Sequence, residues 1–185
     1  LKKPVFHFNE LAFGSLGRTM ISPRIGMQLI GLGLIEAIAD FDILFQEDTE
    51  DQNKDDISGR VHWVEDKEDG VYKIGRFGWK AEQPTVRQQV AAAFLGDLGI
   101  TSSLFPQENC PLVQVECGQA ISGGQPELDE RVLDRVTLYS RYLSVPASRF
   151  ESVDDYRSGL QAFIQVGCAQ CHTPTYKTGT GHGDF

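Results

Sequence analysis

No run of apolar residues in this chain approaches the roughly 20 that a membrane-spanning helix needs. The most apolar stretch, residues 28–39, is short, interrupted by Gly31 and Gly33, and carries Glu36, so it reads as a buried helix. Basic residues are scarce as well: 17 Lys and Arg stand against 26 Asp and Glu, a net charge of −9. Nucleic acid and anionic membrane surfaces both require a basic face, and this balance excludes them as partners. An apolar leader is lacking too, because Lys2 and Lys3 run into Pro4 and mixed residues. The expectation is a removed leader or a piece of a longer protein. The stop at Gly183-Asp184-Phe185, soon after the main motif, points the same way. Internal repeats and low-complexity tracts are absent.

What is present suffices for one ordinary core: 185 residues, 41% hydrophobic and 23% charged. A short strand is possible at Val5-Phe6-His7-Phe8. After Pro23, Leu29, Leu32, Ile35 and Ile38 recur at helical spacing. Residues 47–56 form an acidic loop. Two β-like runs, Val61-His62-Trp63-Val64 and Val71-Tyr72-Lys73-Ile74, flank a polar, Gly-containing link and predict a hairpin. A helix is expected from Pro84 to near Gly99, with Val86, Val90, Ala93 and Phe94 buried. A second is expected from Pro126 to about Leu143, buried through Leu128, Val132, Val136, Tyr139 and Leu143, with Glu127, Asp129 and Glu130 in its first turn. A last helix spans about 153–166, with Tyr156, Leu160, Phe163 and Ile164 on one side. The class is mainly α with a small β-hairpin. Residues 1–150 read as a mainly helical region and 151–185 as the start of a cytochrome c-like haem domain.

That last assignment rests on Cys168-Ala169-Gln170-Cys171-His172, the spacing that attaches a c-type haem. Two cysteines three apart, on about one helical turn, can reach two vinyl groups on one porphyrin edge and form thioethers. The following histidine then lies where a neutral imidazole nitrogen binds the iron. Phe163 and Ile164 on the preceding helix supply apolar cover, and Gly167 frees the backbone to change direction. Rival readings are weaker. A thioredoxin-like pair would need a βαβ context, and a zinc site would need a second ligand pair with spacing that Cys110 and Cys117 do not have. Those two cysteines lie in a Gly-rich loop. Covalent haem attachment implies export to the periplasm or beyond, where a disulfide is the natural state, although spacing alone leaves two free thiols open.

The sixth iron position decides the chemistry: a strong ligand gives electron transfer, an open one admits peroxide. Met20, Met27, His7, His62 and His182 are the candidates, and the residues alone select none of them. Trp63 and Trp79 suit electron relay or simple packing, and Arg76 and Lys80 suit haem propionates.

Ile21-Ser22-Pro23-Arg24, the block from Gly31 to Ile38, Ile57-Ser58-Gly59-Arg60 and Gly75-Arg76-Phe77-Gly78-Trp79-Lys80-Ala81 with Pro84-Thr85 carry a resemblance. So do Ala91-Ala92-Ala93-Phe94, Gly99-Ile100-Thr101-Ser102, Leu104-Phe105-Pro106, Tyr139-Ser140-Arg141, Val145-Pro146-Ala147 and the run from Gly167 to Pro174. Together they resemble the di-haem oxidoreductase family, whose members are often labelled thiol oxidoreductases and which is similar to the bacterial di-haem cytochrome c peroxidases. The resemblance implies a haem-dependent oxidoreductase of peroxidase type, acting with a redox partner protein and a small-molecule oxidant. The family carries two haem motifs, whereas this chain has the one corresponding to the second. The expectation is therefore a haem c-binding segment, inactive alone, of a larger di-haem protein; the alternative is a non-catalytic electron carrier or interaction segment. The resemblance also pairs Cys110 with Cys117. It aligns Asp51, Asn53 and Asp55 with an acidic loop whose alternate oxygens suit Ca²⁺, but Asp56 stands where the turn glycine belongs and His62 where a closing carboxylate would sit. Calcium and a solvated acidic loop both stay open.

Overall fold

The computed structural model describes residues 5–15 and 17–179. Its elements run α1 (Leu32–Glu36), α2 (Asp40–Leu44), β1 (Trp63–Glu65), β2 (Tyr72–Ile74), α3 (Val86–Leu98), α4 (Val115–Gly118), α5 (Glu130–Tyr142) and α6 (Val153–Gln165), then a 3-10 turn at Cys168–Gln170. The fold is helix-rich with one two-stranded antiparallel sheet, in which Trp63 faces Ile74, Val64 faces Lys73 and Glu65 faces Tyr72.

Caps set the helix ends. Thr85 Oγ1 accepts from Gln88 N at 3.1 Å and starts α3. Pro84 therefore precedes the cap and is not the first helical residue. Gly99, at φ 70°, ends the helix in the left-handed conformation that glycine adopts without a Cβ penalty. Asp129 caps α5 by accepting from Arg131 N at 2.8 Å. The expected start at Pro126 is corrected, because Glu127 is diverted to Thr101 and Gly123, whose backbone N–H groups it accepts at 3.0 and 2.8 Å. Ser152 Oγ accepts from Asp155 N at 3.1 Å at the start of α6, where Asp154 and Asp155 also suit the macrodipole.

The core gathers where α1, α3 and α5 meet. Leu32, Phe77, Val86, Val90, Ala91, Leu128 and Leu133 are buried there, with Phe94, Ile100, Leu104, Phe105 and Val136 packed around them. Three further expectations are corrected. The helix at residues 29–38 is reduced to α1, because Gly31 takes φ 76° and donates its N–H to Leu143 O at 2.8 Å, so helical geometry begins only at Leu32. Leu29 is left exposed. On α5 the buried residues are Leu133, Thr137 and Ser140, while Val132 and Tyr139 face solvent. Thr137 Oγ1 donates to Leu133 O at 2.8 Å, which satisfies its hydroxyl inside the helix and allows small polar residues to line the packed face. The suggested strand at residues 5–8 is irregular and exposed, with no partner strand among the described residues to pair its backbone.

One buried carboxylate ties three elements together. Glu36 on α1 accepts from Arg141 Nε of α5 at 2.6 Å and from Val86 N, the first residue of α3, at 2.8 Å. Across the molecule Cys110 and Cys117 are joined, their Cα atoms 5.7 Å apart, around the short helix α4.

Candidate functional site

Helix α6 is amphipathic, yet none of its residues is buried, and its contacts with other elements are concentrated on the turn that follows it. Tyr156 and Ile164 are exposed, and Leu160 and Phe163 are only half-buried. A helix normally hides such a face against a core. Here no residue of the face is fully buried by the described residues, and it leads directly into Cys168-Ala169-Gln170-Cys171-His172.

The turn is built by backbone geometry. Gly167 takes φ 86°, ends the helical path and redirects the chain into a 3-10 turn. Cys171 N and His172 N both donate to Cys168 O, at 3.2 and 2.9 Å, so the two cysteines are held one turn apart with the histidine next. Both thiols are free and exposed. The His172 ring lies against Phe163, with centroids 6.5 Å apart. The chain then returns to the body: Thr178 bridges to Ile38, and Gly179 N donates to Ala37 O at 2.6 Å.

This return closes a cleft of about 460 Å³ between the motif and the hairpin region. Cys171 and Tyr176 line it from one side, and Arg60, His62 and Lys80 from the other. His62 is fixed within it, its Nδ1 lying 2.8 Å from Lys80 O. The backbone around it is equally constrained. Gly75 N donates to His62 O at 2.8 Å, and a Cβ on Gly75 would stand 1.8 Å from Ala81 O. Only glycine allows that approach.

The other candidates are dispersed. Met20 is 96% exposed, and His7 is exposed in the N-terminal segment. Met27 lines a separate cleft with Trp79, on which the Arg24 guanidinium rests 5.4 Å from the ring centroid. His182 lies outside the described residues. Trp63 and Trp79 are both about half exposed, so neither is core packing. Arg76 is committed elsewhere, donating to Ile35 O at 3.0 Å and pairing with Asp40. Of the two cations assigned to propionates, Lys80 faces the cleft, and Arg60 joins it there. Arg60 was missed as a site residue; its signal was its place at the end of Ile57-Ser58-Gly59-Arg60.

The acidic loop is folded on its own backbone. Asp51 accepts from the N–H groups of Asp55 and Asp56 at 3.0 and 3.2 Å, and Asn53 Oδ1 accepts from Asp55 N at 3.0 Å. Asp55 in turn accepts from Ile57 N at 3.0 Å. Among the described residues, no group of three or more His, Cys, Asp or Glu side chains is placed to hold a metal ion. No helix among them is long and apolar enough to cross a membrane.

The fold and site define a helix-rich chain with a small hairpin that presents a Cys-x-x-Cys-His turn at the end of an uncovered apolar helix. Residues 17–185 match the family described as di-haem oxidoreductase, putative peroxidase. The chain belongs to that family, which makes haem its implied cofactor and oxidoreductase chemistry of peroxidase kind its implied class. No curated protein and no solved structure matches it.

The residues present fit a haem. Two free, exposed thiols stand three apart beside an exposed imidazole, and the flanking helix face has apolar side chains without cover.

Proposed function

We propose that this chain carries one c-type haem and serves as the electron-transfer segment of a di-haem, peroxidase-like oxidoreductase. The observation that carries the reading is the exposed Cys168–Cys171 pair at the end of an amphipathic helix, none of whose residues is buried. Each thiol would add across one vinyl group, sulfur to the carbon nearer the ring and hydrogen to the outer carbon, an addition that needs no oxidant. His172 would supply the iron with its imidazole nitrogen, and Phe163 would orient that ring from α6. Leu160, Phe163 and Ile164 would exclude water from one side and lower the local dielectric, which helps set the potential. When bound, the haem supplies one-electron chemistry and, with an open sixth position, peroxide binding.

On this reading residues 151–185 belong to a cytochrome c-like unit, and residues 1–150 form the helical body on which it rests. Covalent attachment places the protein outside the cytoplasm, where the Cys110–Cys117 bridge is stable. A thiol-oxidoreductase role at Cys168 and Cys171 is excluded by the same proposal, because thioethers consume both sulfurs. The two-haem family and the single motif of this chain together support a piece of a longer catalyst. The test is the spectrum of the denatured, reduced chain in alkaline pyridine, after production with haem-attachment machinery. Thioether-linked haem that resists acidified acetone is expected; a colourless chain, or porphyrin released by the acetone, overturns the proposal. Peroxide turnover that persists in the full-length protein when Cys168 and Cys171 are replaced would favour a non-catalytic role for this segment.

A further inference from the structure

We infer that the cleft between α1 and α3, beside the Gly78–Trp79 turn, binds a small zwitterion with an apolar body, of the class of an apolar α-amino acid. None of its lining residues belongs to the Cys168–His172 turn, so the inference does not rest on the haem reading.

The cleft encloses about 620 Å³, a size that suits a small organic molecule. Its polar groups fall into two sets of opposite character. The first is a pair of acceptors. Gln89 Oε1 is shut away from water and has no hydrogen-bond partner. A buried carbonyl without a donor is destabilising, and folded chains leave few of them. Glu82 Oε2 stands beside it: both oxygens lie within 3.5 Å of the point that a Cβ on Gly78 would take. Lys80 N donates to Glu82 Oε2 at 3.0 Å, but the carboxylate pairs with no cation among the described residues. An ammonium group answers both acceptors, because it brings three N–H donors and the opposite charge. The terminal torsion of a glutamine is broad, so a small rotation turns its oxygen to an entering donor. Asp97, on the exposed rim at the end of α3, adds a second negative charge.

The second set is Arg24. Its guanidinium rests on the Trp79 ring, 5.4 Å from the centroid, and its Nε donates to Ser22 Oγ at 3.4 Å. No carboxylate among the described residues pairs with it. Arg76 is the other guanidinium of the lining, and it is already taken by Asp40 and by Ile35 O. Arg24 is therefore the one of the two that can hold a carboxylate. Leu32 and Phe77 are buried beneath, and Ala92 and Ala93 put only small side chains on the α3 side, so an apolar body fits over them. A plain amine would set its charge near Arg24 and leave that guanidinium unmatched. A plain carboxylic acid would meet Glu82 and leave Gln89 without a donor. The zwitterion alone matches both sets.

Isothermal titration calorimetry on the full chain compares three probes of similar shape: phenylalanine, phenethylamine and 3-phenylpropionate. Phenylalanine should bind saturably, and each probe that lacks one charged group should bind about tenfold more weakly or worse. This comparison is made on the wild type and does not depend on any variant folding. Gln89→Leu and Arg24→Gln should each weaken phenylalanine about tenfold or more. Gln89→Leu should at the same time keep or raise the thermal midpoint, because a buried oxygen without a partner is removed. Three outcomes overturn the inference: no saturable phenylalanine binding at millimolar concentration, a truncated probe that binds as well as phenylalanine, or full affinity in Gln89→Leu. None of them bears on the thioethers, which the pyridine spectrum tests separately.

Discussion

At the scale of single residues, the buried charges of this protein serve architecture, while the two thiols of the Cys-x-x-Cys-His turn are free and exposed. Glu36 shows the first half. Its carboxylate is 8% exposed and is satisfied by Arg141 and by the backbone N–H of Val86. Replacing it with Ala leaves the Arg141 charge and a helix N–H without their acceptor. Because Arg141 is still partly in water, the expected loss is about 2–4 kcal/mol, less than for a fully buried pair, read from urea unfolding. Gly75→Ala should be worse in kind: the new methyl meets a backbone carbonyl, so residues 75–81 must open, at about 3 kcal/mol or more. That variant should also free the His62 imidazole, visible as a changed NMR shift and faster exchange of its Nδ1–H. The residue-scale legibility of the sequence follows from distance along the chain. The Cys168-Ala169-Gln170-Cys171-His172 spacing was readable because it occupies five consecutive positions, and the structure adds that both thiols are exposed. The neighbourhood of His62, Arg60 and Cys171 was not, since only the return of residues 176–179 to α1 brings them into one cleft.

At the scale of elements, local signals located the hairpin and the three long helices, and packing decided their buried faces. Apolar periodicity pointed to Val132 and Tyr139 on α5, but the helix packs through Leu133, Thr137 and Ser140. Periodicity ranks residues by hydrophobicity, while close helix approach favours small side chains whose polar atoms bond within their own helix. Caps were the better guide: the expected end of α3 at Gly99 coincides with its positive-φ stop. The hairpin also carries an electrostatic clasp. Lys73 Nζ donates to Asp66 at 2.6 Å and pairs with Asp69 at 2.7 Å, and these partners hold its pKa up at about 12 from an ordinary 10.5. A base whose folded pKa is raised contributes fully below its unfolded value, and that contribution is lost as pH rises through the folded value. From neutral pH to about pH 10 the urea midpoint of the wild type should therefore exceed that of Lys73→Met by a constant amount, the gap closing between 10.5 and about 12. A gap that stays constant through that window would show that the clasp does not act through charge.

At the scale of the whole molecule, stability is unevenly distributed. The body is held by the α1–α3–α5 core and by Glu36, whereas α6 has no buried residue and rests mainly on the turn after it. An isolated helix of 13 residues is marginal in water, even with the Ser152 cap and two acids in its first turn. In the haem-free chain α6 should therefore open locally at little cost, well below the global unfolding free energy. Attachment of a haem changes that balance in two ways. On the proposed reading it would tether Cys168 and Cys171 to one rigid body, and it would give Leu160, Phe163 and Ile164 an apolar surface to bury against. Burying two or three such side chains contributes on the order of 3–6 kcal/mol before the ordering cost of the segment. Hydrogen exchange followed by mass spectrometry should show this directly. Amides of residues 153–165 should exchange almost unprotected without haem and slow by at least about a hundredfold with it, which corresponds to roughly 2.7 kcal/mol of local stabilisation. Amides of α3, in the core, should change little. If α6 is as protected without haem as with it, its apolar face is already covered by something other than the cofactor, and the seat assigned to the haem is wrong.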